Sequence, residues 1–310
     1  MHYSLPVKQP IHLLHGTSFL LVRRESESML EIVVLVTTLV SLLLMYPSYM
    51  NWKAPENSPT EFLRSANVRD PQKKVVVFLG DSITKGRISA NFVHLLSRDL
   101  DSDRFQLINA GVNADLTWHV MQRLDKVIRC DPDIVIILIG TNDANSTRIG
   151  AGRSPATAFR KLPRIPDINW FEANLKRIVH RLTESTRARI ALLSIPPLGE
   201  DLESSAVTLS SEFSETIGGI AVKTNTAYLP LHEKMLEFIR DNPSRPKKSI
   251  ETSFWWIFTS LYWHYLFRRS WNQISAQRGF RLLNDHIHLN DDAAKMVADL
   301  IRDFILEELA

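Results

Sequence analysis

Cysteine is nearly missing from this 310-residue chain, in which Cys130 is the only one. A single thiol excludes an intrachain disulfide and a metal cage built from cysteines. An excess of charge is missing too: 37 basic and 34 acidic residues leave a net +3. No basic stripe runs along any segment, so nothing recommends a nucleic acid as partner. The chain also lacks internal repeats and low-complexity tracts. What it does have is 45% apolar and 23% charged residues, the composition of a folded protein with a sizeable core. The length suits one large domain or two small ones.

The N-terminal part carries the one long apolar run. Ile32–Tyr46 is uncharged, can be extended by Met29 and Leu30, and follows Arg23 and Arg24. A spanning helix needs about 17–25 residues, and a basic flank before an apolar run marks a signal peptide or signal anchor. No small-x-small cleavage site follows, which favours an uncleaved anchor over 29–50 above a cleaved signal. Residues 1–28 then form a polar, basic segment, unless Met29 is the true start, and 51–72 form a linker. This arrangement predicts a single-pass protein with its main domain, 73–310, outside the cytoplasm; the alternative is secretion.

Beyond the linker, unbroken Val/Ile/Leu runs recur at Lys74–Leu79, Arg104–Asn109, Asp133–Ile139 and Arg189–Ile195, with a fifth near Ala227–Leu231. Runs that do not alternate suit parallel strands covered on both faces. Helical patterns fall between them at Ser89–Leu100, Leu116–Arg129, Trp170–Thr186 and Ser211–Val222, and a last helix is expected over Asp291–Leu309 behind Asn290 or Asp291 as cap. Strand–helix alternation of this kind predicts a doubly wound α/β sheet, whose ligands bind at the carboxyl ends of the strands.

Each of those ends carries something specific. The first strand delivers Gly80-Asp81-Ser82, the second Gly111, the third Gly140, Asn142 and Asp143, and Asp285 precedes His288 by three just before the final helix. A serine nucleophile needs a base, and the base an orienting acceptor; Asp285-x-x-His288 offers both from one loop. Backbone N–H groups of Ser82 and Gly111 and the Asn142 amide are candidate donors to an oxyanion. Ser82 could instead be only a helix cap.

These blocks, in this order, resemble the SGNH (GDSL-type) hydrolase superfamily: Gly-Asp-Ser, a lone Gly, Gly-x-Asn-Asp and Asp-x-x-His, over about residues 73–308. The resemblance implies a three-layer, flavodoxin-like fold and metal-free, cofactor-free ester hydrolysis through an acyl-serine. By position, Ser82 looks like the nucleophile, His288 the base, Asp285 its partner, and Ser82, Gly111 and Asn142 the oxyanion hole. Asp81 and Asp143 are read as structural, His119 as a satisfied surface histidine, and His286 as surface or supporting. Arg148 and Arg153 are read as solvated loop residues that could meet an anionic substrate.

Two insertions break the alternation, Arg148–Asp167 and about 241–281. Nine of the eighteen residues in Phe254–Trp271 are aromatic. As a helix this stretch has Phe254, Ile257, Phe258, Leu261 and Tyr265 on one face, and it is expected to be either a buried helix or a lid touching a membrane, with Arg268 and Arg269 near anionic lipid. The expected activity is hydrolysis of a lipid or lysolipid ester, or of an O-acetyl carbohydrate ester. An acyltransferase with the same triad and an inactive membrane-tethered binding module are the alternatives.

Overall fold

The computed structural model describes residues 1, 15–64, 69–150, 162–252 and 254–308. Arg153 and most of the first insertion lie outside them. The chain divides into two compact units, Met1–Tyr49 and Met50–Ala310.

The first unit lies on one helix, α1 (His15–Trp52), longer than the anchor that the apolar run alone indicates. Its stretch Met29–Trp52, 24 residues with mean hydropathy 2.3, is long and apolar enough to cross a membrane, and a signal sequence would meet the same description. Three of its hydroxyls are satisfied within the helix: Thr37, Thr38 and Ser41 donate to the carbonyls of Val33, Val34 and Thr37. A polar group so paired costs little in an apolar surrounding.

The second unit is a parallel sheet of five strands: β1 (Lys74–Gly80), β2 (Phe105–Gly111), β3 (Ile134–Leu138), β4 (Arg189–Leu193) and β5 (Ala227–Leu229). Their order, β2-β1-β3-β4-β5, is the flavodoxin-like one, with the direction of winding reversing beside β1. All five lie within a residue or two of their sequence expectation. The alternate residues of β1 explain the unbroken apolar runs. Val76 and Phe78 point to a core shared with α4 (Phe92–Asp99), α9 (Leu231–Asp241), α11 (Trp271–Arg278) and α12 (Asp291–Glu307). Val75, Val77 and Leu79 point to the opposite core, shared with α5 (Thr117–Ile128), α7 (Ile168–Ser185) and α8 (Ser205–Thr224). Each such side chain, fully removed from water, contributes about 1.5–3 kcal/mol.

Three short helices complete the unit before the insertion: α2 (Pro59–Arg64) inside the expected linker, α3 (Ser82–Lys85) and α6 (Thr141–Ile149). The aromatic insertion forms α10 (Phe254–Tyr265) followed by α11. On α10 the face sharing Ile257, Phe258, Leu261 and Tyr265 is buried only in part. Ser260 and Leu261 are buried and Trp256 is half-buried, whereas Trp255 and Phe258 are exposed.

Candidate active site

The turn after β1 is built by close approach. Gly80 and Gly111 lie side by side in register on β1 and β2. A Cβ on Gly80 would fall 2.1 Å from Thr84 Oγ1, and one on Gly111 2.2 Å from the Lys85 nitrogen. Two missing side chains therefore let α3 settle directly on the strand tips. Asp81 caps that helix, its Oδ1 accepting from the Ile83 N–H at 2.9 Å. Ser82 is thus the first residue of the helix and not its cap, and its own N–H, like that of any first helical residue, has no intrahelical acceptor.

Asp285 and His288 come to Ser82 from 200 residues away. Ser82 Oγ lies 2.9 Å from His288 Nε2. On the other side of the ring, Nδ1 lies 2.8 Å from Asp285 Oδ2 and 3.0 Å from Oδ1. The same carboxylate accepts the backbone N–H groups of Ile287 and His288, so it is fixed before it meets the imidazole. All three side chains are buried. Burial alone would depress the His288 pKa, but the charge and hydrogen bond of Asp285, with the more distant Asp81, outweigh it and hold the imidazole above its usual value. Burial likewise works to raise Asp285, and the facing histidine and two backbone donors overcome it, leaving the carboxyl below its usual range. Each group favours the charged form of the other.

The three oxyanion candidates fare differently. Asn142, on the first turn of α6, sits beside the tip, with Nδ2 donating to Asp81 Oδ2 and to the Asp115 carbonyl, both at 3.1 Å. Ser82 supplies its helix-N-terminal N–H. The Gly111 N–H donates to Asn109 Oδ1 at 2.9 Å, so in this structure that hydrogen is held by a neighbour, and the residue's visible contribution is space. The nearby turn contains Ala114 at φ +59°, a left-handed conformation that side chains rarely adopt, and it leads into Asp115, whose carbonyl receives Asn142.

Asp81, Asp115 and Asp143 form an acidic floor under this corner. Burial, with the neighbouring carboxylates adding to it, pushes both Asp81 and Asp143 up to about 7. Asp143 accepts from the Thr117 N–H and hydroxyl, joining α6 to α5 as a structural residue. Arg123 donates to Asp115 at 2.6 Å and to the Gly80 carbonyl at 2.9 Å. Neither Arg123 nor Asp115 stood out in the sequence, since their spacing of eight on a loop and a helix marks no motif.

Three sequence expectations need correction or bounding. His119 is buried, not at the surface: its Nδ1 accepts from the Leu116 N–H at the start of α5. His286 is also buried, stacked on Trp256 and edge-on to Phe280, with Nε2 bonded to the Lys248 carbonyl. Arg148 is paired with Glu251. Beside His286 opens a cleft of about 620 Å3, lined among others by Glu203, Arg240, Arg245, Lys248 and Glu251. Among the described residues no three His, Cys, Asp or Glu side chains are grouped to hold a metal ion.

Comparison with known proteins bears on the family and the fold. A family model, the GDSL-like lipase/acylhydrolase family, matches residues 78–251. The chain belongs to that family. It is accordingly a carboxylic ester hydrolase by class. A search among curated proteins finds no match. Among solved structures, the fold is similar to an acetyl xylan esterase, AlAXEase, at 20% identity and TM-score 0.54, covering 74% of this chain and 99% of that one. It is also similar to a tryptophan-to-isoleucine mutant of Axe2, an acetyl-xylooligosaccharide esterase from Geobacillus stearothermophilus, at 17% identity and TM-score 0.51 over 74% and 92%. A third is LAE5, an alpha/beta hydrolase enzyme from the metagenome of Lake Arreo, at 17%, 0.51, 74% and 93%.

Proposed function

We propose that this hydrolase cleaves small acyl groups, acetyl first among them, from a hydroxyl-rich alcohol such as a carbohydrate, through an acyl-Ser82 intermediate. The observation that carries the mechanism is the continuous chain Ser82 Oγ···His288 Nε2, His288 Nδ1···Asp285 Oδ2 at 2.9 and 2.8 Å. Ser82 Oγ attacks the ester carbonyl carbon as His288 Nε2 takes the hydroxyl proton, and Asp285 stabilises the imidazolium. The oxyanion is met by the Ser82 N–H and the Asn142 amide, which turns toward it as charge develops. Collapse expels the alcohol with the proton from His288. Water, losing its proton to the same nitrogen, then frees the acid and Ser82.

The acetyl-carbohydrate esterases among the fold neighbours support a hydroxyl-rich leaving group. The lipid-ester reading keeps one observation of its own, the exposed Trp255, Phe258 and Phe267. The helix Met29–Trp52 acts in this proposal as an uncleaved anchor. The test uses the full chain in detergent: a fluorophosphonate should label Ser82 alone, and turnover should be highest on acetyl esters and acetylated oligosaccharides. A preference that rises with chain length would overturn the substrate class. Labelling of another serine would overturn the mechanism. Acyl transfer to an added sugar in preference to water would make the enzyme a transferase.

A further inference from the structure

The segment that delivers Asp285 and His288 is gripped by two buried charges of opposite sign that do not pair with each other. Glu200 accepts the N–H groups of Arg281, Leu282 and Leu283 at 2.7–2.8 Å. Arg278, the last residue of α11, is also buried. Among the described residues its guanidinium donates to no carboxylate. Nη1 donates to the Asn284 carbonyl at 2.7 Å, to Ser260 Oγ at 2.6 Å and to the Trp256 carbonyl at 3.1 Å, while Nη2 donates to Thr259 Oγ1 at 2.9 Å. The group also lies 5.1 Å from the centre of the Trp256 ring. Burying a cation is costly unless it is hydrogen-bonded, and here the bonds go to one oxygen of the catalytic loop and three of the aromatic helix.

We propose that Arg278 is a positioning residue of the ester hydrolase, fixing the Asn284–His288 loop by its main chain and coupling that loop to the aromatic helix α10. The inference rests on the Ser82–His288–Asp285 reading above. Asn284 directly precedes Asp285, and its own N–H closes the loop on the His288 carbonyl at 2.8 Å. A shift of the Asn284 carbonyl therefore moves both ends of the dyad. The same helix α10 holds the loop a second time through Trp256, whose ring stacks on His286 at 5.9 Å and 11°. His286 needs such support because it sits at φ +75°, and its carbonyl is held by the Gly199 N–H. The far end of α10 reaches the other half of the site, Tyr265 donating to the Arg87 carbonyl just after α3. The aromatic insertion is thus a brace across both parts of the site, with Arg278 as its buried joint.

The guanidinium also has an electrostatic consequence. Asp285 is its nearest charged influence. The other charges around the dyad are Asp81, from the turn before α3, and His286, on the loop itself, which feels Glu251 and Arg148. Removing the Arg278 cation takes a positive charge away from Asp285, so the His288 imidazolium beside that carboxylate is favoured. The acidic limb of kcat/KM then moves to higher pH.

The test measures kcat, KM and the pH profile of the full chain for Arg278→Lys and Arg278→Met, with a p-nitrophenyl acetate substrate. Arg278→Lys keeps the charge but loses the planar fork: kcat should fall about tenfold or more, toward the roughly 10²-fold that an ångström of misplacement costs, with KM and the acid limb unchanged. Arg278→Met should lower kcat similarly and shift the acid limb upward. Should the Met variant fail to fold, the pair Thr259→Val and Ser260→Ala, which loosens only the α10 side, carries the test and should lower kcat several-fold at constant KM. Variants that fold with wild-type kcat and an unmoved acid limb would overturn the proposal. The two failures are separable: if the wild type is not labelled at Ser82, the triad reading fails; if it is, and the Arg278 variants match it, only the brace fails.

Discussion

The tip of β1 and the loop before α12 hold opposite halves of one site, and they are held in opposite ways. The tip, Gly80–Gly86, is a local construction. A buried strand ends, Asp81 caps the next turn, two glycines make room, and Gly86 at φ +68° closes α3 onto the Ser82 carbonyl. The loop, Arg281–Asn290, has internal bonds, the Leu283–Leu289 bridge and the Asp285 carboxylate on the Ile287 and His288 N–H groups, but no helix or strand of its own. It is also hung from distant residues: Glu200, Arg278, Gly199 and Ser89, whose Oγ accepts the Leu289 N–H. Preorganisation by local rules resists substitution everywhere except at the rule-bearing residues. Preorganisation by remote contacts spreads the sensitivity over residues that no motif marks.

The sharpest test of the local half is Ser82 itself. Ser82→Ala should remove nearly all turnover, on the order of 10⁶ in kcat as for loss of a triad nucleophile elsewhere. The change deletes one oxygen from a first helical position whose cap is Asp81, so thermal unfolding should be unaltered and phosphonate labelling should vanish. A variant that retains esterase activity would mean that another residue attacks.

Next in size comes the contrast of two histidines on the remote half. His288→Ala should cost several orders of magnitude in kcat. His286→Ala should cost tenfold or less in kcat, its loss showing instead in stability, by about 1–3 kcal/mol as for other buried packing changes, because its ring fills the gap between Trp256 and Phe280. The pH profile belongs to the first of them. His288 must be neutral to act as base, and its pKa is held above the usual imidazole value. Activity should therefore fall as the pH drops through a limb lying above about 6.5, and not below it. Equal losses for the two histidines would erase the distinction between the ring that reacts and the ring that packs.

Asn142→Ala tests where the two halves meet. Loss of one oxyanion donor should lower kcat by about 10²–10³, with KM little changed since the ground-state carbonyl makes a weaker bond. In the resting site that amide is shared between Asp81 and the Asp115 carbonyl. A change seen mainly in KM would make Asn142 a substrate-binding group.

How much of this was legible follows the same division. The five strands came from unbroken apolar runs, because burial on both faces leaves no polar position to obscure them, and the double winding came from their alternation with helices. Ser82, Asn142, Asp285 and His288 were legible because their chemistry demands fixed residue types in short blocks. Arg123, Glu200 and Arg278 were not: each acts on backbone or on a residue brought close only by folding, and a lone arginine or glutamate reads as solvated surface. Gly111 was legible as a glycine, but only the folded chain shows the Lys85 backbone above it and Asn109 accepting its N–H. Part of the buried side of α10 was hidden for a related reason. Its polar Ser260 is what turns inward, drawn by Arg278, and hydrophobic spacing cannot register that.

Glu200→Gln gauges how firmly the remote half is suspended. Oε1 accepts from Leu282 and Leu283 and Oε2 from Arg281. An amide can serve only one side, so one N–H group would face another. That should cost about 1–3 kcal/mol, the penalty of an unmet buried donor, and lower kcat no more than tenfold. Thermal unfolding with activity measured on the same sample checks both. An unchanged melting temperature would mean that the loop holds its shape without this carboxylate.

The smallest effect is expected back on the local half, at Ala114. Its φ of +59° places the Cβ where a left-handed residue is strained by about 1–2 kcal/mol. Glycine relieves that strain but loses about 0.5–1 kcal/mol of backbone entropy on folding. Ala114→Gly should therefore be neutral to stabilising, by at most about 1 kcal/mol. The turn geometry, and with it the Asp115 carbonyl that steadies Asn142, should persist, leaving kcat within about threefold of wild type. Were the turn held by local preference alone, like the tip of β1, the more permissive glycine would loosen it, and kcat would fall while stability rose or stayed level. An unchanged kcat would instead assign its shape to the anchors around it, the Arg123–Asp115 pair and the Asn142 amide, and would place this piece of the strand edge with the remotely held half of the site.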